Sequence, residues 1–187
     1  MVLKRSDSEL SRGDDAPFFS LPGADGRTYS LDSFADAEAL LVVFTCNHCP
    51  YAEAKREELN HLADSYDGLA VVGINPNDAE EYPDDSYEAM RERVEEGEVR
   101  FTAYLRDESQ TVAREYGAVC TPDPFLFERT DEGFELVFHS RIDDAMSPDE
   151  EPTEYEMRTA VEAVLRDEEI PVEETPSQGC SIKWRDE

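Results

Sequence analysis

A single α/β domain with a mixed central β-sheet flanked by helices is the fold the sequence predicts. Two continuous apolar runs, ALLVVFT (39–45) and LAVVGIN (69–75), have the length and β-branched content of strands covered on both faces. Each is followed by a segment of helical character, and this β-α-β-α order calls for parallel neighbours in one sheet. Further on, FLFE and FELVFHS lie a hairpin's length apart, which adds an antiparallel pair and makes the sheet mixed. A chain of 187 residues is the size of one domain. Its expected core covers about 14–168, with a C-terminal tail over 169–187.

The elements follow in order. APFFSLPGADGRTYSLDSF places Phe18, Phe19 and Leu21 before a Gly/Asp-rich turn and Tyr29, Leu31 and Phe34 after it, the pattern of an N-terminal hairpin. ALLVVFT is the central strand. After the motif CNHCPY, the stretch AEAKREELNHLADSYDG repeats Leu59, Leu62 and Tyr66 at helical spacing, and Gly68 supplies a stop. LAVVGIN is the second buried strand, and DDSYEAMRERVEEG reads as a surface helix opened by Asp or Ser. RFTAYLRD gives a third strand, ESQTVAREYG a short helix ending at Gly117, and the FLFE/FELVFHS pair an antiparallel hairpin. The last helix, TEYEMRTAVEAVLRDEE, sets Tyr155, Met157, Val161, Val164 and Leu165 on roughly one face. The tail IPVEETPSQGCSIKWRDE is too rich in Pro and Gly for a regular element, although Ile182 and Trp184 offer it anchors.

Composition narrows the partners. The formal net charge is -29, and the acidic residues are spread along the chain instead of gathered in one tail. With 14 Arg and only 3 Lys, carboxylates dominate the surface, a balance expected of a halophilic protein in molar salt. Nucleic acid and anionic membrane surfaces are excluded as partners because both need clustered cations. No signal peptide is visible and no apolar run approaches membrane-spanning length, so a cytoplasmic location is expected. Four cysteines in a reducing compartment point to redox or metal chemistry rather than to a structural disulfide framework.

Cys46 and Cys49 form a CxxC pair where a buried strand gives way to a helix. A thiol reacts as thiolate, and a position at a helix N-terminus lowers its pKa through unpaired amides and the helix dipole. Two residues on, Cys49 can attack a mixed disulfide formed at Cys46 and release the product. Zinc would need a second such pair, and there is none. His48, between the two, would stabilise a neighbouring thiolate and tune the reduction potential when protonated.

FTCNHCPY after a buried strand, GINPND at a strand end, YGAVCTPDPFLF and the terminal TPSQGCSIKW together resemble the peroxiredoxin-like branch of the thioredoxin superfamily. That group is related to alkyl hydroperoxide reductase and thiol-specific antioxidant proteins, and the likeness covers nearly the whole chain. It implies a thioredoxin-like fold with an added N-terminal hairpin, Cys46 and Cys49 at the head of the first main helix, a redox-active disulfide and no bound cofactor. It also implies that the TP of GAVCTPDPF is a cis-proline loop facing the CxxC. Pro122 is then the cis-proline, and Thr121 offers its backbone to a substrate.

Two reactions fit these residues. In thiol-disulfide exchange, Cys46 attacks a protein or small-molecule disulfide and Cys49 resolves it, with a thioredoxin/reductase-type electron donor restoring the thiols. In the peroxidase alternative, the peroxidatic cysteine of the peroxiredoxin TxxC loop aligns with Cys49, which reduces a hydroperoxide and passes through a sulfenic acid. Peroxiredoxins also use an arginine near the strand after the cis-proline loop, and this sequence has none there before Arg129, which favours exchange.

Cys120, beside the loop, is either a further resolving or metal-binding sulfur or a buried inert thiol. Cys180 lies in a polar tail that core packing explains poorly, and a resolving role suits it. A non-enzymatic metal carrier or redox sensor is a lesser reading, in which copper would recruit Cys46, Cys49 and a histidine such as His139. His61 and His139 otherwise read as surface or packing residues. Phe125 and Phe127 alternate with Leu126 as sheet packing. EEYPDD (80–85) and DDAMSPDEEPTE (143–154) read as solvated loops without the spacing of a calcium site.

Overall fold

The computed structural model describes residues 2–185. Its framework is a five-stranded sheet built from β4 (Ala39–Phe44), β5 (Leu69–Asn75), β6 (Ala103–Arg106), β8 (Asp123–Thr130) and β9 (Gly133–His139). The order across the sheet is β6-β5-β4-β8-β9. β4 runs parallel to β5, with Leu41 opposite Val71, and antiparallel to β8, with Leu41 also opposite Leu126. The central strands are therefore covered on both faces, and every residue of β4 and β5 is buried.

Period-2 alternation divides the core in two. Leu40, Val42 and Phe44 point with Val72, Ile74, Phe125 and Phe127 toward Phe19, Phe34 and Tyr116. Leu41, Val43, Val71 and Leu126 point the other way, onto α2 (Arg56–Ser65) through Leu59 and Leu62 and onto α5 (Glu156–Leu165) through Met157, Ala160 and Val161. The expected N-terminal hairpin is present as β2 (Ser20–Pro22) against β3 (Thr28–Ser30); of the three apolar residues before its turn Phe18 faces solvent and Phe19 and Leu21 reach the core, where Phe34 joins them. α3 (Tyr87–Glu95) begins at Ser86, whose hydroxyl accepts the Ala89 amide. α4 (Thr111–Tyr116) stops at Gly117, whose φ of +70° suits a residue without a Cβ.

Two expectations need correction. The helix foreseen over 52–68 is broken into α1 (Pro50–Glu53) and α2 at a tighter turn in which the Lys55 amide bonds back to the Ala52 carbonyl, and the Lys55 ammonium there reaches Asp143 and the Ala145 carbonyl. The tail does contain a regular element. β10 (Gln178–Ser181) is the middle of a second, three-stranded sheet between β1 (Leu3–Arg5) and β7 (Cys120–Thr121), antiparallel to both. Sequence patterning missed it because a strand this short, with Gly179 inside it, carries no alternation of its own. Ile182 and Trp184 anchor the segment that follows, Ile182 in the core and Trp184 against it under the Arg114 guanidinium at 4.5 Å.

No helix among the described residues is long and apolar enough to cross a membrane.

Candidate active site

The sheet delivers the motif to its C-terminal end. Chain leaving β4 forms the loop 45–49, and Cys49 is the N-cap of α1. Cys46 lies three residues earlier, 3% exposed, with its sulfur 3.4 Å from the Thr121 hydroxyl and the His48 and Cys49 amides directed at it. The loop is pinned by groups the sequence did not single out. The Asn47 amide donates to Asp85 Oδ1 at 2.6 Å, its side chain donates to the Asp84 carbonyl, and Tyr104 donates to Asn47 Oδ1. Asp85 also accepts from Asn75 and Asn77 and contacts His48 Nδ1, while the His48 ring stacks on Tyr82. The tract EEYPDD is thus no solvated loop at its end, since Asp85 is fully buried beneath the motif.

Electrostatics at Cys46 run against the expected activation. Burial, and then the Asp85 charge, push its thiol up to about 12, outweighing the Thr121 hydroxyl and the two amides. The helix-dipole argument fails here because α1 has a single turn and starts beyond Cys49. Asp85 itself is held below the usual carboxylate range. Burial alone would raise it, but the hydrogen bonds from His48, the Asn47 amide and Asn77 prevail.

The cysteine pairing also differs from the Cys46–Cys49 pair that exchange chemistry suggests. Cys49 is in a disulfide with Cys180, across 131 residues of sequence and a Cα–Cα distance of 6.4 Å, and Cys46 is a free thiol beside them. β10 lies against β7 with Cys180 opposite Thr121, so the tail brings its sulfur to the motif. Cys46, Cys49 and Cys180 form one buried cluster with Ala52. Cys120 stands apart, buried and free, its thiol raised by burial and by the Asp123 charge. The Thr121–Pro122 peptide is cis, and the Thr121 carbonyl is 3.7 Å from the Cys49 sulfur.

Just after the proline, Asp123 is wholly buried. One of its oxygens meets His139 Nε2 at 2.7 Å, and the other has no hydrogen-bond partner. His139 stacks on Phe125, so the copper set of Cys46, Cys49 and His139 is not assembled. Among the described residues, those that do gather ligand atoms are Cys46, His48 and Asp85, whose donor atoms lie within 4.8 Å of one another.

The family model described as AhpC/TSA family matches residues 12–134, which include Cys46, Cys49, Thr121 and Pro122. The chain belongs to the AhpC/TSA family. Among solved structures, a hypothetical protein from Sinorhizobium meliloti 1021 is 41% identical, with a TM-score of 0.89 over 97% of this chain and 98% of that one. An uncharacterized conserved protein from Geobacillus kaustophilus is 37% identical, with a TM-score of 0.90 over 99% and 97%. The thioredoxin domain of a thiol-disulfide oxidoreductase from Bacteroides vulgatus, 19% identical over 70% of this chain and 89% of its own, shares the fold at a TM-score of 0.55. No functionally curated protein matches. This AhpC/TSA member therefore has a thioredoxin-like fold, as its residues implied, and Cys180 lies outside the segment matched to the family.

Proposed function

We propose that the protein is a thiol-disulfide oxidoreductase in which Cys46 is the nucleophile, Cys49 the resolver and Cys180 a third thiol that takes over the oxidising equivalent. The observation that supports this is the Cys49–Cys180 disulfide beside a reduced Cys46 at the cis Thr121–Pro122 loop. In the fully reduced protein the Cys46 sulfur attacks a substrate disulfide, forming a mixed disulfide, and the proton it gives up leaves on the departing substrate thiol. Cys49 then attacks the Cys46 sulfur, releases the second substrate thiol and closes Cys46–Cys49. Attack by the Cys180 thiolate on Cys49 transfers the bond to Cys49–Cys180 and frees Cys46, which takes up a proton. A dithiol donor of the thioredoxin type reduces that disulfide and is itself oxidised. The end state of this relay is the pairing in the structure.

The test is to mix reduced protein with a small disulfide and map the bonds by mass spectrometry over time. Cys46–Cys49 should precede Cys49–Cys180, and Cys46→Ser should abolish substrate reduction; full activity in that variant overturns the proposal. Peroxide reduction is a second reading with one observation in its favour. A sulfenic acid at Cys49 condensing with the Cys180 thiol, with loss of water, yields the same disulfide and leaves Cys46 reduced. Against it, Arg129 is exposed and donates to the Ala35 carbonyl, and the buried Arg106 donates to the carbonyls of Asn75 and Asn77. Peroxide consumption that is lost in Cys49→Ser and kept in Cys46→Ser would establish this second route.

A further inference from the structure

An extended polypeptide reaches sulfurs in such a site by adding a strand to the edge beside them, with main-chain hydrogen bonds supplying much of the affinity. Here that edge is β7, the two residues before the cis-proline, and it is already occupied. We propose that residues 178–181 are a built-in occupant of the peptide position that stays seated in both redox states, so that the site serves small disulfides and turns extended polypeptide disulfides away. This rests on the oxidoreductase reading and specifies its substrate class.

The fit is close. Cys180 is opposite Thr121 and Ser181 opposite Cys120, so the tail presents its cysteine to Cys49 in the register of a bound strand. Gly179 makes this approach possible. A Cβ built there would stand 1.9 Å from the Thr121 carbonyl oxygen and 2.6 Å from its carbon, backbone atoms that cannot swing aside. On its far side the strand is covered by β1, with Leu3 opposite Cys180, so an incoming peptide would have to displace both terminal strands.

Fastenings independent of sulfur hold the strand at each end. Upstream, Ser140 and Thr175 exchange hydrogen bonds, the Arg141 amide donates to the Thr175 carbonyl, and the Ser177 hydroxyl donates to the Pro122 carbonyl at 2.6 Å. Downstream, Ile182 is 3% exposed, its amide donates to the Val119 carbonyl, and the Lys183 amide donates to Asn77 Oδ1. The Lys183 carbonyl accepts from both the Asp78 amide and the Gln110 side chain. None of these bonds involves sulfur, so together they keep the strand docked when the disulfide opens.

Hydrogen exchange and paired assays test this. In the intact protein, the amides of Ser181, Ile182 and Lys183 should be as protected after reduction with a small dithiol as before it; loss of their protection on reduction overturns the proposal. With the same dithiol as electron source, wild-type protein should reduce 5,5′-dithiobis(2-nitrobenzoic acid) at least about tenfold faster than insulin, a gap equivalent to about 1.4 kcal/mol. Gly179→Val, which cannot seat the strand, should narrow that gap by raising insulin reduction. Equal wild-type rates on the two substrates, or a gap that Gly179→Val leaves unchanged, would overturn it. Turnover of neither substrate would refute only the oxidoreductase reading, and exchange would still decide the strand.

Discussion

At the scale of single residues, reactivity is governed by what surrounds Cys46. Its sulfur has the Thr121 hydroxyl and two backbone amides around it, yet burial and the Asp85 carboxylate keep it a thiol at physiological pH. Asp85→Asn removes the negative charge and should move Cys46 ionisation downward, read as the pH dependence of its alkylation in a Cys120→Ala background; an upward shift or none would discount the electrostatic account. The same change puts an amide group where Asn77 and His48 meet a carboxylate oxygen, and should cost roughly 1–3 kcal/mol in denaturant unfolding. The raised thiol also has a sign for stability. The unfolded chain releases the Cys46 proton from about pH 9 while the folded protein holds it to about 12, so stability falls as pH rises through that window, by roughly 1 kcal/mol per unit. Cys120, raised for the same reason, adds to the fall. Thermal unfolding across pH 8 to 11 measures it, and Cys46→Ala should flatten the decline.

Elements set where these residues stand. β4 and β5 were readable from apolar runs alone because a parallel strand buried on both faces has no polar alternation to confuse it. Gly117 and Ser86 marked helix ends for equally local reasons. The break between α1 and α2 was invisible, since helical spacing runs on across it and the partner of Lys55 at the junction, Asp143, lies far along the chain in a tract that reads as solvated. Asp143 is buried with the Lys55 ammonium, and that contact fixes the loop 143–145 beside the motif helix. Lys55→Met should strand the carboxylate and destabilise the fold by about 3 kcal/mol, measured by urea unfolding. Asp143→Asn added to it should recover part of the loss.

The whole molecule carries a net charge of -29, with 46 acidic residues and 17 Lys and Arg. Much of its pairing is at the surface, as between Arg100 and Asp64, where an ion pair contributes little. Self-repulsion among the remaining carboxylates opposes the compact state. Raising salt from about 0.1 to 1 M shortens the screening length from roughly 10 to 3 Å, and the melting temperature should climb over that range. A melting temperature that falls or stays level would mean that repulsion does not limit this fold, and with it would go the reading of the surface as an adaptation to molar salt.

The sequence by itself determined the β-α alternation, the mixed sheet, the hairpin at the N-terminal end and the CxxC loop after a buried strand. Each of these is written in neighbours along the chain, through periodicity, turn residues and motif spacing, whereas the proline opposite the motif was implied only by the resemblance to a known family. Only tertiary structure decided which sulfurs pair, because Cys49 and Cys180 meet through a strand whose sole signature is the edge it fits. It also decided that Asp85 lies under the motif and Asp123 under the cis-proline, since burial of a carboxylate depends on partners brought from elsewhere in the chain. Local pattern thus placed the chemistry, and long-range packing chose its protonation and its partner.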